Sequence, residues 1–315
     1  MLPEIGRYVV NVFYKGKQIQ CPFEISVISR VEQSRNYGDI TQPKIKFGQY
    51  GNSDAKFSNP NFVCVDPIGN IFVSDRNNHR IQIFDENGNF LSKFGTNGEG
   101  NGQFQYPCGI AIDYNETIYV CDTENHRVQV FDRDKNFIMK FGKYGKEDGQ
   151  FQSPYSIVVS STGNLIVADT FNHRIQIFSQ QGIFISKFGS LGSLEGQFHH
   201  PYSIAINSMQ NIIICDFHSH RIQIFDENGN FLLVFGSKGN ANGQFMNPCH
   251  IAIDEYDQLL VVDNSNNRIQ IFDSFGTFIT QFGSNCLNYP TGIAIDTTTQ
   301  TIIVTEAGPN RVSIF

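Results

Sequence analysis

The ten residues Asp75-Arg-Asn-Asn-His-Arg-Ile-Gln-Ile-Phe84 return at 122–131, 169–178, 216–225, 263–272 and, in altered form, at 306–315. Two further markers keep the same step. A Phe-Gly pair begins at Phe47, Phe94, Phe141, Phe188, Phe235 and Phe282, and a proline stands at Pro60, Pro107, Pro154, Pro201, Pro248 and Pro290. The step is 47 residues until the last copy, where the stretch between Gly283 and Pro290 has lost five residues. A fixed period of this length means an array of small units that bury their faces against one another. Six repeats fill residues 44–315.

Within each repeat the proline is followed by an alternating run such as Ile110-Ala-Ile-Asp113, a Gly/Asn turn, and a second apolar run such as Ile71-Phe-Val73. The Asp…Asn-His-Arg turn comes next, then Ile81-Gln-Ile-Phe84, another turn, and a fourth run ending in Phe-Gly. Four short antiparallel strands per repeat, with no 3.6-residue periodicity, predict an all-β, six-bladed propeller. The last copy stops at Phe315 after its third strand, and the array opens with an orphan fourth strand, Lys44-Ile-Lys-Phe-Gly48. That strand is expected to complete the sixth blade, since ring closure removes an exposed edge.

No segment approaches the ~20 apolar residues of a membrane helix, and Met1 to Val10 lacks the apolar core of a signal peptide. The seven cysteines are odd in number, occupy no shared repeat position and form no Cys-x-x-Cys. A disulfide framework and a structural zinc site are therefore not expected, and a reducing, cytoplasmic setting is. Residues 1–29 read differently: Gly6 to Tyr14 and Ile19 to Val27 alternate around a Lys15-Gly-Lys-Gln18 turn, as in a hairpin. The pattern Gly-x-Tyr-x-Val-x-Val followed by Pro-Phe-x-Ile-x-Val resembles the last two strands of a filamin-type immunoglobulin repeat, with Tyr8 at its corner-tying position. Because a lone hairpin is marginal in water, the chain reads as a fragment of a longer protein or this piece as unfolded, with a simple hairpin as the alternative. Residues 30–43 read as a polar linker.

Each repeat pairs an acid with an arginine five residues on: Asp75 with Arg80, Asp122 with Arg127, Asp169 with Arg174, Asp216 with Arg221, Asp263 with Arg268, and Glu306 with Arg311. A pair present in every unit is scaffold, because catalysis needs one special position. His79, His126, His173 and His220 also share one turn position and stand a blade apart, so they do not converge on a metal.

Asn-His-Arg-Ile-Gln-Ile-Phe together with Lys-Phe-Gly, Gly-x-Gly-Gln-Phe-x-x-Pro and Ile-Ala-Ile-Asp at these offsets resembles the NHL repeat. A filamin-type piece before six such repeats resembles the C-terminal half of TRIM-NHL proteins. That resemblance implies upstream RING, B-box and coiled-coil regions. None is in this chain, so it is expected to have no ligase activity alone and to oligomerise only through those upstream parts. It implies no cofactor.

Strand direction puts the loops between blades and the Asp…Arg turns on one face, the top. The formal charge of −7 comes from the bottom turns, where acids such as Asp85, Glu86, Asp132, Asp226 and Asp254 meet only Arg133 and Lys135. The top is near neutral. In RNA-binding TRIM-NHL proteins the resemblance implies a basic top face, yet the corresponding positions here include Asn59, Tyr106, Ser153, His200, Asn247 and Tyr289. The top offers instead Tyr106, Tyr155, Phe171, His200, Tyr202, Phe217, His218 and His250, with Lys143, Lys146 and Lys238 read as its unpaired bases. Such rings suit protein hot spots or base stacking. The reading is a non-catalytic module that binds a protein target on its top face. RNA recognition for post-transcriptional repression is the alternative, and no DNA or membrane partner is expected. A third reading, a propeller lyase with a channel metal, would need unrepeated His and acid residues on inner strands that read Ile-Ala-Ile.

Overall fold

The structure, a computed structural model, describes residues 35–315 and the backbone of two short strands, Val12–Tyr14 and Lys17–Ile19. Those strands pair antiparallel, with Tyr14 opposite Lys17. Lys17 and Gln18 are thus in a strand, where the sequence pattern put them in the turn. Tyr8 and most of the filamin-like pattern lie outside the described residues.

Residues 37–315 form one compact unit of six four-stranded antiparallel sheets. Blade 1 runs Pro60–Val65, Ile71–Asp75, Arg80–Phe84 and Phe90–Phe94. Blades 2 to 5 repeat this order, their first strands being Pro107–Ile112, Pro154–Val159, Pro201–Ile206 and Pro248–Ile253. In blade 6, Pro290–Ile295, Ile302–Glu306 and Arg311–Ile314 are completed by Ile45–Phe47, which sets Phe47 opposite Val312 and Ile45 opposite Ile314. The expected closure by an N-terminal strand is what the ring uses.

Alternation along each strand sends neighbouring side chains to opposite blades. Leu165 and Val167 join the core shared with blade 2, while Ile166 and Ala168 join the core shared with blade 4. Burying one such side chain is worth roughly 1.5–3 kcal/mol, so the inter-blade cores dominate the stability. Each core is wedged by a loop phenylalanine: Phe57, Phe104, Phe151, Phe198 and Phe245 are fully buried, and in the shortened loop Leu287 takes the place. Phe151 packs 5.4 Å from Phe178, which meets Phe141 at 5.0 Å. The glycine of the Phe-Gly pair makes room for that wedge: Gly142 has φ +89°, and a Cβ there would run into the Phe151 ring. Twenty-nine phenylalanines in a chain without tryptophan follow from this repeated need.

The acid–arginine pairs are the centres of buried polar networks. Asp122 accepts from Arg127 Nε (2.7 Å), Gln129 Nε2 (3.0 Å), Asn125 Nδ2 (2.9 Å) and the Gln105 backbone N–H (2.7 Å). The remaining Arg127 nitrogens donate to the carbonyls of Glu99, Gly100 and Gln103. One buried carboxylate and one guanidinium thereby satisfy a loop that would otherwise leave its carbonyls bare. The glutamine of Ile-Gln-Ile-Phe is part of the same device, and Gln82, Gln129, Gln176, Gln223 and Gln270 are all fully buried.

Within the stretch read as linker, Tyr37 is fully buried in the core between blades 5 and 6, and its hydroxyl donates to Asp254 Oδ2 at 2.7 Å. Ile40 packs beside it. Blades 1 to 5 start their fourth strands with a phenylalanine such as Phe90; blade 6 has Pro43 ahead of Ile45–Phe47, and Tyr37 and Ile40 pack in its core instead.

Candidate functional site

The top of the ring is built by a short device repeated six times. After the second strand of blades 1 to 5 a 3-10 turn, and in blade 6 an ordinary turn, ends in a left-handed residue, for example His79 at φ 57° and Asn310 at φ 56°. That residue accepts a backbone N–H from the loop opening the next blade: Tyr106 N–H to His79 Nδ1 (3.2 Å), Ser153 to His126 (3.0 Å), His200 to His173 (3.3 Å) and Asn247 to His220 (3.1 Å). Asn267 and Asn310 serve the remaining two junctions through Oδ1, accepting from Tyr289 and Asn59. The donating residues hold positive φ, Tyr106 at 51° and His200 at 66° among them. They turn the chain so that the residues after each proline converge on the axis.

What converges differs from blade to blade. Tyr155 of blade 3 and Tyr202 of blade 4 lie 4.4 Å apart, and Tyr202 stacks on Phe217 at 4.9 Å and 23°. Phe62 of blade 1 meets His250 of blade 5 at 4.3 Å, although blade 6 separates them around the ring. Phe62, Cys108 and Tyr155 form a small buried cluster with Tyr202 against it. These rings stopper the channel. Tyr155 and His250 are 9% and 7% exposed, so they are part of the stopper and do not offer the open stacking surface expected of them. Burial lowers the His250 imidazole to about 3; it is neutral, and its Nδ1 accepts from the Ile293 N–H at 3.3 Å.

Around the stopper, blades 3 and 4 carry an open cluster. His199 and His200 stack at 4.9 Å, His218 lies 5.2 and 4.8 Å from them, and His173 is 4.7 Å from His200. Phe171, 44% exposed, meets His200 at 4.8 Å, and Phe217 meets His218 at the same distance. Burial, reinforced by the neighbouring imidazoles, lowers His200 to about 4 and shifts His173 and His218 downward. His173, His200 and His218 are thereby biased toward the neutral imidazole. Among the described residues no group of three or more His, Cys, Asp or Glu is arranged to hold a metal ion, and the six described cysteines are free thiols.

Comparison with known proteins places this architecture. Residues 151–178 and 198–225 match the NHL repeat model, and residues 52–141 match a model described as a 6-bladed beta-propeller. The propeller carries NHL repeats. Protein lin-41 of Caenorhabditis elegans is 40% identical over 91 residues, and the E3 ubiquitin-protein ligase TRIM71 of Xenopus tropicalis is 38% identical over 89. Each match covers 28% of this chain but only 8% and 10% of those relatives' own lengths. The kinship is consistent with the C-terminal part of a TRIM-NHL protein. Among solved structures, a streptogramin B lyase aligns over 86% of both chains with a TM-score of 0.63 at 15% identity, which shows a shared fold. No helix among the described residues is long and apolar enough to cross a membrane.

On the NHL propeller the sequence-chosen residues separate into three groups. Phe171, His200, Tyr202, Phe217 and His218 are brought together. Tyr106 stands apart, edge-on to His79 at 4.6 Å. Lys143 and Lys146 are exposed on the loop entering blade 3, whereas the fourth-strand lysines Lys93 and Lys187 are paired with Asp54 and Asp148 at 2.5 Å. Two features escaped the sequence reading. His199 and His173 belong to the imidazole cluster, signalled only by the unrepeated His199-His200 doublet. Arg76 is the other: its guanidinium lies 5.0 Å over the Tyr106 ring, and Nη2 is 3.4 Å from the Tyr155 hydroxyl. It was visible as the residue that breaks its column, which otherwise reads Thr123, Thr170, Phe217, Asn264 and Ala307. His250 likewise corrects the picture of inner strands that are uniformly Ile-Ala-Ile.

Proposed function

We propose that this NHL propeller recognises a protein partner with its top face, as the target-binding part of a TRIM-NHL-type ligase or scaffold. An NHL propeller related to those of lin-41 and TRIM71 is a protein- or RNA-interaction module; the surface chemistry favours protein. The observation that carries the choice is the contiguous ring patch of Phe171, His199, His200, Phe217 and His218, in which burial favours the neutral form of His200 and His218. Aromatic rings in such a patch are the usual anchors of protein interfaces. Nucleic acid binding draws on an excess of cations, and here the repeat arginines are all committed to their acids. RNA is kept as a second reading because Arg76 lies beside Tyr106 and Tyr155 and Lys143 and Lys146 are exposed on the loop entering blade 3, while bases stack on such rings at ~1–3 kcal/mol each.

The test compares the chain with a Phe171→Ala/His218→Ala variant, both exposed positions away from the inter-blade cores. Each is exposed to a cell lysate and to a randomised RNA pool at physiological salt. Proteins retained by the parent and lost by the variant support the protein reading. RNA enriched by the parent and lost by the variant moves the assignment to RNA, and binding unaffected by the variant removes the top face from consideration.

A further inference from the structure

We infer that Arg76 is a subsite for a single carboxylate, presented by an acidic residue or a free C-terminus of the partner; this rests on the protein-binding reading above. In three of the other five blades the equivalent residue closes its own junction. Thr123 and Thr170 donate to the carbonyls of Pro154 and Pro201 at 2.9 and 2.7 Å, and Asn264 donates to Pro290 at 2.8 Å. Arg76 makes no such bond. Its Nε is buried without a hydrogen-bond partner, and the contacts of its guanidinium are weak ones, to the Tyr155 hydroxyl at 3.4 Å and to the buried Cys108 thiol. Among the described residues no carboxylate lies within ion-pair distance of it. Glu124, whose charge is felt at Cys108 and Tyr155, is exposed and does not close that gap.

A guanidinium has five N–H donors in a planar fork, and withdrawing one from water is costly unless the donors are met. Here the ring of Tyr106 covers one face, Tyr155 touches one edge, and the Nε edge is unmet. A planar carboxylate answers this deficit, accepting from Nε and an Nη together. The charge also matches, one against one, whereas a nucleic-acid backbone gains affinity by neutralising several phosphates at once. The apolar flank of such a ligand would run along Tyr202 and Phe217, which continue from Tyr155 toward the imidazole cluster.

The experiment selects a displayed library of random 12-residue peptides, with free and with blocked C-termini, on the parent chain, on Arg76→Met and on Phe171→Ala/His218→Ala. The result expected is a fixed acidic position, or a required free terminus, that vanishes in Arg76→Met while that variant keeps the parent melting temperature. For an enriched peptide, Glu→Gln in the peptide and Arg76→Met in the protein should each weaken binding roughly tenfold, and together no more than either alone. Peptides lost in the Phe171/His218 variant but without an acidic preference would overturn the carboxylate subsite and leave the protein-binding reading intact. No peptide dependent on either variant overturns both, as does an RNA pool whose enrichment needs Arg76.

Discussion

His250 should make this propeller acid-sensitive in a way one substitution can isolate. Its folded-state value of about 3 compares with ~6.5 for an exposed imidazole in the unfolded chain. Between those values the unfolded chain binds a proton that the folded one excludes, so stability falls as pH drops through 6.5. Each pH unit is worth about 1.4 kcal/mol for one such group. From pH 7.5 to 5 the loss assigned to His250 is therefore about 2 kcal/mol. His250→Asn keeps an acceptor for the Ile293 N–H and removes the titration. The assay is urea unfolding of both proteins across that pH range, read as the difference between parent and variant. That difference cancels the other histidines, provided they titrate alike in both. Its absolute value at pH 7.5 reflects lost contact with Phe62 and is not the test; its change with pH is. Parallel pH profiles, with the difference constant within 0.5 kcal/mol by the usual additivity of separate sites, would refute a neutral, buried His250.

Two predictions concern the scaffold. Arg127→Met should cost about 3–5 kcal/mol, because it strands a buried carboxylate and three loop carbonyls, whereas Arg311→Met should cost less, since the Arg311 side chain is 24% exposed; equal losses in urea unfolding would contradict the network account. Tyr37→Ala should cost about 3–5 kcal/mol as a large-to-small core change, and deleting residues 42–49 should collapse the melting transition by leaving blade 6 three-stranded; unchanged melting of either variant would show that the ring does not depend on this segment.

The fold was legible because it is periodic: a strand pattern that recurs six times with Phe-Gly and proline in step admits few alternatives, and the missing and orphan strands named each other. The site was less legible for the same reason. Tyr155, Tyr202 and His250 were read from the sequence as top-face surface, but sequence spacing carries no information about which of them meet across the axis, where Tyr155 and His250 are buried. Phe62 and His250 lie far apart in the chain and touch only because the ring curves. Tyr37 was passed over because one aromatic in a polar stretch has no periodic partner, and its bond to Asp254 is set entirely by tertiary packing. Arg76 was hidden inside the motif itself, where its neighbours Asp75 and Arg80 drew the attention.

Closure by Ile45–Phe47 also sets a timetable. On a ribosome adding roughly 5–20 residues per second, that strand emerges before the ~260 residues separating it from Arg311–Ile314 have been made, a wait of roughly 13–50 s. Blades 1 to 5 can each pair their own four strands as they appear, but blade 6 can only be assembled from the two extremes of the array. During that interval Ile45–Phe47 has no partner strand and is open to pairing with other nascent chains. Protection of the 37–47 segment during synthesis is thus a requirement that the circular architecture places on the cell.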